Sequence, residues 1–192
     1  MRRKRKLVFG VGLNDADYAV KPRINGAQVE CPYYVSWKDM LKRGYSELYH
    51  DAYPTYADVT VCAEWRSFMT FREWMEGEDW EGKALDKDII ISGNREYRPD
   101  RCLFVSPAVN NLLCSSDGSR GAYPCGVSNH CRGYRAHMSY YGKLKHLGYF
   151  DTVNEAEQVY KKAKKRYIEE VAATQTDARI RDGLLRHADL LV

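Results

Sequence analysis

Residues 123–167, YPCGVSNHCRGYRAHMSYYGKLKHLGYFDTVNEAEQVYKKAKKRY, contain the pattern that decides the fold. From Tyr134 to Ser139, apolar and polar side chains alternate, which places them on opposite faces of a β-strand. Gly142 closes a hairpin with a second run, from Lys143 to Phe150. The stretch therefore predicts three short antiparallel strands, followed by a helix.

The predicted helix begins after Thr152. Thr152 and Glu155 have the spacing of a capping box, in which the two side chains satisfy the first free backbone amides of a helix. Apolar residues then recur at helical spacing: Val153, Ala156, Val159, Tyr160, Ala163 and Tyr167. We expect this apolar side to cover one face of the sheet.

The other face of the sheet is expected to carry cations and hydrogen-bond donors. These are Arg132, Arg135, His137 and Lys143, with either Lys145 or His146. Arginine and lysine reach phosphates and guanine edges in DNA grooves, so we expect double-stranded DNA as the partner. The alternative is an ordinary solvated face, because exposed strand faces are usually polar.

The segment GV…YRAHMSYYGKLKHLGYFDTVNEAEQVYKKAK resembles the apetala-type DNA-binding domain of plant ethylene-response factors and its relatives in phage and mobile-element proteins. LGYFDTVNEAE is its most specific part. In that family the strands lie in the major groove and the helix packs behind them. The resemblance implies that the six cationic residues above contact DNA. Histidines replace the family's tryptophan-bearing strand positions here.

The charge of the chain is unevenly distributed. The net charge is +4, yet Arg2, Arg3, Lys4, Arg5 and Lys6 alone supply five positive charges. Residues 120–171 add ten Lys/Arg against five Asp/Glu. Basic charge at an arm and at the predicted DNA module is the footprint of a nucleic-acid binder, although a solvated tail would also fit the arm.

Export and membrane insertion are not expected. The apolar run LVFGVGL is shorter than the core of a signal peptide, and no segment reaches the ~20 apolar residues of a membrane span. The six cysteines form no C-x-x-C pair, which favours reduced thiols in the cytoplasm of the host cell. A zinc site among Cys125, His130, Cys131 and His137 is the alternative, with a spacing unlike that of common zinc fingers.

The N-terminal half predicts a compact unit rich in aromatic residues. Asn25-Gly26 is a hairpin turn signal. Helices are expected over residues 31–50 and 64–76, with apolar stripes that contain Trp37, Trp65 and Trp74. Together with the C-terminal sheet, this pattern predicts the α+β class.

Residues 85–113, LDKDIIISGNREYRPDRCLFVSPAVNNLL, have the order strand, turn, irregular strand and helix. This ββα outline resembles the HNH nuclease motif, and many phage HNH proteins carry an apetala-type domain C-terminal to it. The resemblance implies a homing-type endonuclease, in which a divalent metal and a histidine base activate water against a phosphodiester bond. The family's first strand ends in Asp-His, whereas this chain has Asp86-Lys87; its central asparagine falls near Tyr97, and Asn110 matches the later helix position.

Asp86, Asp88 and Asn94 are the candidate catalytic residues. Asp86 and Asp88 alternate along a strand, so they would share a face and could hold Mg²⁺ or another divalent metal through oxygen ligands. Lys87 would need a pKa several units below its usual value to act as the base. His50 is a second candidate base, or else a partner of its helix dipole. The alternative is a solvated strand edge without catalytic function.

These patterns predict five segments. They are a basic arm and hairpin (1–30), an HNH-like α+β unit (31–114), a linker (115–121), an apetala-type domain (122–173) and a C-terminal helix (174–192). The protein would bind DNA and cleave it, or bind DNA as an inactive regulator or inhibitor of host DNA enzymes. A third possibility is that the N-terminal half binds a host protein.

Overall fold

Residues 6–113 and 122–191 are described by the computed structural model of the protein. Arg2 to Arg5 of the predicted arm, Cys114 and the predicted linker 115–121 lie outside them. The chain divides into two compact units, with the boundary after Pro107. Both contain helices and strands, so the predicted α+β class is confirmed.

The first helices of the N-terminal unit are α1 (Pro32–Tyr45) and α2 (Glu47–Ala52). One helix over residues 31–50 was the expectation; the backbone of Ser46 is instead extended, with φ −96° and ψ 112°. Tyr45 is held from outside the helix, because its hydroxyl accepts a hydrogen bond of 3.0 Å from the backbone amide of Val61. The break lies next to this tertiary contact, and helical periodicity does not predict it.

The third helix, α3 (Phe68–Glu76), begins later than the sequence pattern predicts. Residues 64–66 form a single 3₁₀ turn, and Ser67 then caps α3 by accepting a hydrogen bond from the Thr70 amide. The Asp15 carboxylate accepts hydrogen bonds from the Ser67 hydroxyl and the Met69 amide, at 2.7 and 2.9 Å. These bonds fix the start of α3 and join residues of the predicted arm segment to the N-terminal unit.

The strands of the N-terminal unit are short. β1 (Arg23–Ile24) and β2 (Ala27–Gln28) form the predicted hairpin, with positive φ at both turn residues. The remaining strands are β3 (Thr60–Val61), β4 (Ala84–Asp86), β5 (Glu96–Tyr97) and β6 (Leu103–Val105). β3 pairs with β5 in parallel, and β4 pairs with β6 antiparallel. Helix α4 (Pro107–Leu113) follows β6, which confirms the predicted ββα order.

Aromatic side chains fill the core of the N-terminal unit. Trp37, Trp65, Phe68 and Phe71 are almost fully buried. The Trp37 indole donates a hydrogen bond of 2.7 Å to the Trp65 carbonyl, so its single polar atom is satisfied inside the core. The structural interpretation of these aromatic residues is therefore confirmed.

The C-terminal unit contains the predicted sheet and helix. β7 (Val127–His130), β8 (Gly133–Tyr140) and β9 (Lys143–Phe150) form an antiparallel sheet in that order. Helix α5 (Val153–Ala173) covers one face, and its predicted capping box between Thr152 and Glu155 is present. Ala136 and Ala156 are fully buried where the sheet meets the helix.

The last helix, α6 (Ala178–Asp189), belongs to the same unit. It packs against α5 and buries Ile180, Leu184 and Ala188. An ion pair of 3.0 Å between Lys165 and Asp189 links the two helices. The predicted C-terminal helix thus docks on the sheet-and-helix module.

No helix in the described part of the chain is long and apolar enough to cross a membrane. The five cysteines there, Cys31, Cys62, Cys102, Cys125 and Cys131, are free thiols. Cys125 makes a 2.7 Å contact with the hydroxyl of Tyr160.

Candidate nucleic-acid interface

The sheet of the C-terminal unit has one face that α5 does not cover, and we call it the outer face. Its side chains, read from the strand registers, belong to Ser128, His130, Arg135, His137, Ser139, Leu144, His146 and Tyr149. Arg135 and His137 lie on the central strand, so their neighbours come from both edge strands. The predicted alternation along β8 is confirmed, because Ala136 and Met138 are buried on the helix side.

A β-bulge in β9 determines which of the predicted contact residues on this strand face outward. Ala136 pairs with Gly148 and His137 pairs with His146, which leaves Leu147 as an extra residue. Gly148 has φ +146°, a backbone conformation that suits glycine, and a glycine inside a strand often marks a bulge. Because of the extra residue, the alternation of side chains between the two faces of the sheet shifts by one position at the bulge.

Lys143 and Lys145 consequently share the helix side, and their predicted place beside Arg135 is wrong. Lys145 is opposite Met138 and Lys143 is opposite Tyr140. The Lys145 ammonium lies 4.5 Å from the centre of the Tyr140 ring. Of the predicted contacts, Arg135, His137 and His146 lie on the outer face, and Arg132 is exposed in the turn between β7 and β8.

Lys145 lines a cleft of about 260 Å³ between the β8–β9 hairpin and α5. Tyr140 closes one side of it by donating a 2.6 Å hydrogen bond to the Glu170 carboxylate. This bond to an anionic acceptor raises the pKa of Tyr140 to about 12. The hairpin is thereby fastened to α5, which helps to present the opposite face as a rigid surface.

Three polar atoms on the outer face lack hydrogen-bond partners. They are the Ser128 hydroxyl oxygen, Arg135 Nε and His137 Nδ1, each shielded from solvent. Within residues 6–113 and 122–191, these are the side-chain nitrogen and oxygen atoms that are buried without a partner. Buried polar atoms are nearly always paired in proteins, so each exception calls for an explanation such as a bound water, an ion or a functional role. Their concentration on one face is consistent with a ligand that supplies the missing partners.

Aromatic rings form a strip across the same face. The ring of Tyr149 lies 4.4 Å from that of His130 and 4.6 Å from that of His146, between ring centres. Gly133 is opposite His130 in the strand register, and a side chain there would collide with the Phe150 carbonyl oxygen. Tyr149 is 58% exposed, so the strip is open to a partner.

The outer face includes residues that the sequence pattern does not single out. Ser128, His130 and Tyr149 were not among the predicted contact residues. The interior glycine of β9 was the available signal, because it indicates a possible bulge. If the bulge is overlooked, strict alternation along β9 places Lys143 and Lys145 on the outer face, whereas they lie on the helix side.

The predicted catalytic residues lie together in the loop after β4, where they bind the loop itself. Asp86 Oδ1 accepts hydrogen bonds from the amides of Asp88 and Ile89, at 2.8 and 2.7 Å. The Asn94 side-chain amide donates to the carbonyls of Lys87 and Glu96, at 2.9 and 2.8 Å. The polar groups expected to act on a substrate thus fix the backbone of a tight loop.

Lys87 occupies the centre of this loop. It is only 6% exposed, and its ammonium donates to the Asp88 carboxylate and to the Asn94 carbonyl, at 2.7 and 2.8 Å. The burial of an ammonium is tolerated when it is paired and hydrogen-bonded, as here. Lys87 is therefore placed as a structural cation.

The arrangement does not fit a divalent metal. The Lys87 ammonium already neutralises Asp88, and burial raises the pKa of Asp86, which disfavours its charged form. In the described part of the chain, no three His, Cys, Asp or Glu side chains form a group that could hold a metal ion. Mg²⁺ binding by Asp86 and Asp88 stays a prediction that the side-chain positions do not support.

His50 lies in the last turn of α2. Its Nε2 donates a 2.9 Å hydrogen bond to the Arg43 carbonyl, and Arg43 in turn donates a 3.3 Å hydrogen bond to the Leu85 carbonyl. The His50 ring is thus fixed to the end of α1 and not to Asp86. This geometry favours the interpretation of His50 as a partner of its helix end over its interpretation as a catalytic base.

Comparisons of the chain with protein-family models, curated proteins and solved structures gave no significant match. The resemblances to the apetala-type domain and to the HNH motif therefore stay predictions.

Proposed function

We propose that this protein binds double-stranded DNA through the outer face of its C-terminal sheet. The observation that carries the proposal is the set of unpartnered polar atoms on that face, at Ser128, Arg135 and His137. DNA offers acceptors for such groups both on its phosphates and on the base edges of the major groove.

The dimensions of the sheet support this proposal. Three strands about 4.8 Å apart span about 10 Å, and the major groove is about 12 Å wide. Helix α5 covers the other face, so the outer face is the side of the sheet that can enter a groove. Arg135 lies on the central strand, where a guanidinium could bind guanine O6 and N7.

The charges of the sheet also support it. β7, β8 and β9 contain no Asp or Glu, so no carboxylate within these strands opposes a phosphate. Arg132, exposed in the turn between β7 and β8, adds a cation at the edge of this sheet that could reach a phosphate.

The proposal is tested by comparing Arg135→Ala with Lys162→Ala, each of which removes one positive charge. Lys162 is exposed on α5, on the helix side of the sheet. In a salt titration of duplex binding, Arg135→Ala should weaken binding and lower the slope of log affinity against log salt by about one. Lys162→Ala should behave like the wild type; equal effects of the two variants would remove the outer face from the interaction.

The internal hydrogen bonding of Asp86, Lys87 and Asn94 favours a DNA-binding regulator or inhibitor over a nuclease. Cleavage is tested with supercoiled DNA in Mg²⁺ or Mn²⁺ against EDTA, beside a mobility-shift assay. We expect a shift without nicks. Metal-dependent nicking that is abolished in Asp86→Asn, with the shift retained, would instead establish a nuclease at the predicted site.

A further inference from the structure

Two histidines face each other directly across the outer face. His137 on β8 and His146 on β9 are register partners next to the bulge. Directly opposed residues of an antiparallel pair have Cβ atoms about 5 Å apart, so their side chains interact. Histidine is the side chain that ordinarily changes charge between about pH 5 and 8.

The surroundings of this pair are cationic. The other titratable groups on the outer face are His130 from β7, Arg135 from β8 and Tyr149 from β9. Strands β7 to β9 supply no carboxylate to the face, and Asp151 follows the end of β9. In the free protein, nothing within the sheet therefore compensates a second or third positive charge beside Arg135.

His137 shows the effect of these surroundings. Burial, together with the positive charge of Arg135, lowers its pKa. Like charges on directly opposed strand residues are also unfavourable, which penalises a doubly protonated pair. Burial and Arg135 thus disfavour the charged form of His137 in the free protein, although a hydrogen bond of its ring to the Arg135 backbone acts in the opposite direction.

We propose that His137 and His146 take up protons when the outer face binds DNA, so that affinity for the duplex increases as the pH falls. The inference rests on the proposed DNA-binding function and adds a form of regulation to the same face.

The physical reason is that the phosphates of bound DNA would change the electrostatic potential at the outer face from positive to negative. Phosphates bring negative charge to a face that has only positive charge of its own, and they favour the imidazolium form of nearby histidines. An imidazolium has two N–H donors, so the unpartnered nitrogen of His137 can then donate to a phosphate or a base acceptor. Each proton taken up changes the affinity by up to about tenfold per pH unit in the interval where it is transferred.

The test measures duplex affinity of the full chain by fluorescence anisotropy between about pH 8 and about pH 6, at constant ionic strength. The wild type should bind on the order of tenfold more tightly at the lower pH. The double variant His137→Gln/His146→Gln should lose most of this increase, and the comparison is made between the two pH values within each protein, so that a change in its affinity at the higher pH does not affect the result. His187→Gln, on α6, is the matched control and should keep the full increase.

The outcomes separate the inference from the proposed function. If the double variant keeps the wild-type pH dependence, the histidine pair is not the proton acceptor, although DNA binding stands. If the wild type binds no duplex at either pH, the proposed function itself fails.

A second measurement uses only the wild-type protein, in case the double variant does not fold. Calorimetric titration with DNA in buffers of different ionisation enthalpy, near pH 6.5, counts the protons taken up. We expect net uptake of about one to two protons, the capacity of the pair. Uptake near zero would overturn the inference.

Discussion

At the scale of single residues, a side chain's partners decide its role more than its type does. Asp86 and Lys87 have the charges expected of a nuclease site, yet their polar atoms bind the backbone of their own loop and the neighbouring Asp88. Arg135 has the opposite situation, since its Nε is buried without a partner on a cationic face. The polar atoms of Asp86 and Lys87 are thus satisfied internally, whereas Arg135 Nε is not.

The loop geometry predicts the effect of changing Asp86. Asparagine keeps an oxygen that can accept from the amides of Asp88 and Ile89, whereas alanine removes both bonds. Asp86→Ala should lower the free energy of unfolding at pH 7 by about 1–3 kcal/mol, and Asp86→Asn should leave it unchanged or raise it. Urea unfolding of both variants measures the difference.

The sign of the pH dependence follows from the pKa of Asp86, which burial raises in the folded protein. The stabilisation that protonated Asp86 contributes is complete below its unfolded pKa, about 3.9, and is lost as the pH rises through its folded pKa. Asp86→Asn should therefore gain stability relative to the wild type as the pH increases above about 4. A constant difference between the two proteins across this interval would contradict the burial of the charge.

At the scale of elements, the bulge in β9 determines which side chains reach the outer face. Its extra residue, Leu147, turns Lys145 to the helix side and His146 to the outer face. The same bulge brings His146 beside Tyr149, which contributes to the aromatic strip. Because of this extra residue, His146 lies beside His137, and Lys145 does not.

The bulge depends on Gly148, whose φ of +146° is unfavourable for other residues. A Cβ at this position would lie 2.8 Å from the Phe150 ring. Gly148→Ala should lower the free energy of unfolding by about 1–3 kcal/mol, whereas Gly77→Ala should change it by less than about 0.5 kcal/mol. Gly77 is a suitable control because its φ is −84° and its nearest contact would be an ordinary 3.5 Å.

Urea unfolding followed by circular dichroism measures both variants. Equal stabilities of Gly148→Ala and the wild type would show that the strand does not require the bulge.

At the scale of the whole molecule, the chain forms two units with separate cores. The first unit holds the aromatic cluster around Trp37, and the second holds the sheet, α5 and α6. All four tryptophans, Trp37, Trp65, Trp74 and Trp80, belong to the first unit. Tryptophan fluorescence therefore reports on that unit alone, while circular dichroism reports on both.

This division predicts that the two probes respond differently to Leu184→Ala in α6. Leu184 is fully buried, so the change should cost the second unit about 2–5 kcal/mol. The circular dichroism transition should shift to lower urea, and the fluorescence transition should stay in place. Leu185→Ala, on the exposed side of the same helix, is the control and should shift neither. A joint shift of both probes would mean that the chain unfolds as one cooperative system.

The sequence by itself determined several local features: the strand alternation of β8, the capping box of α5, the Asn25-Gly26 hairpin and the ββα outline. These features depend on neighbours a few residues apart, which a sequence pattern contains. The tertiary structure decided the break at Ser46, the facing of Lys145 and the partners of Asp86 and Lys87. Each of these depends on strand register or on hydrogen bonds closed by the folded backbone, and local periodicity carries no information about them.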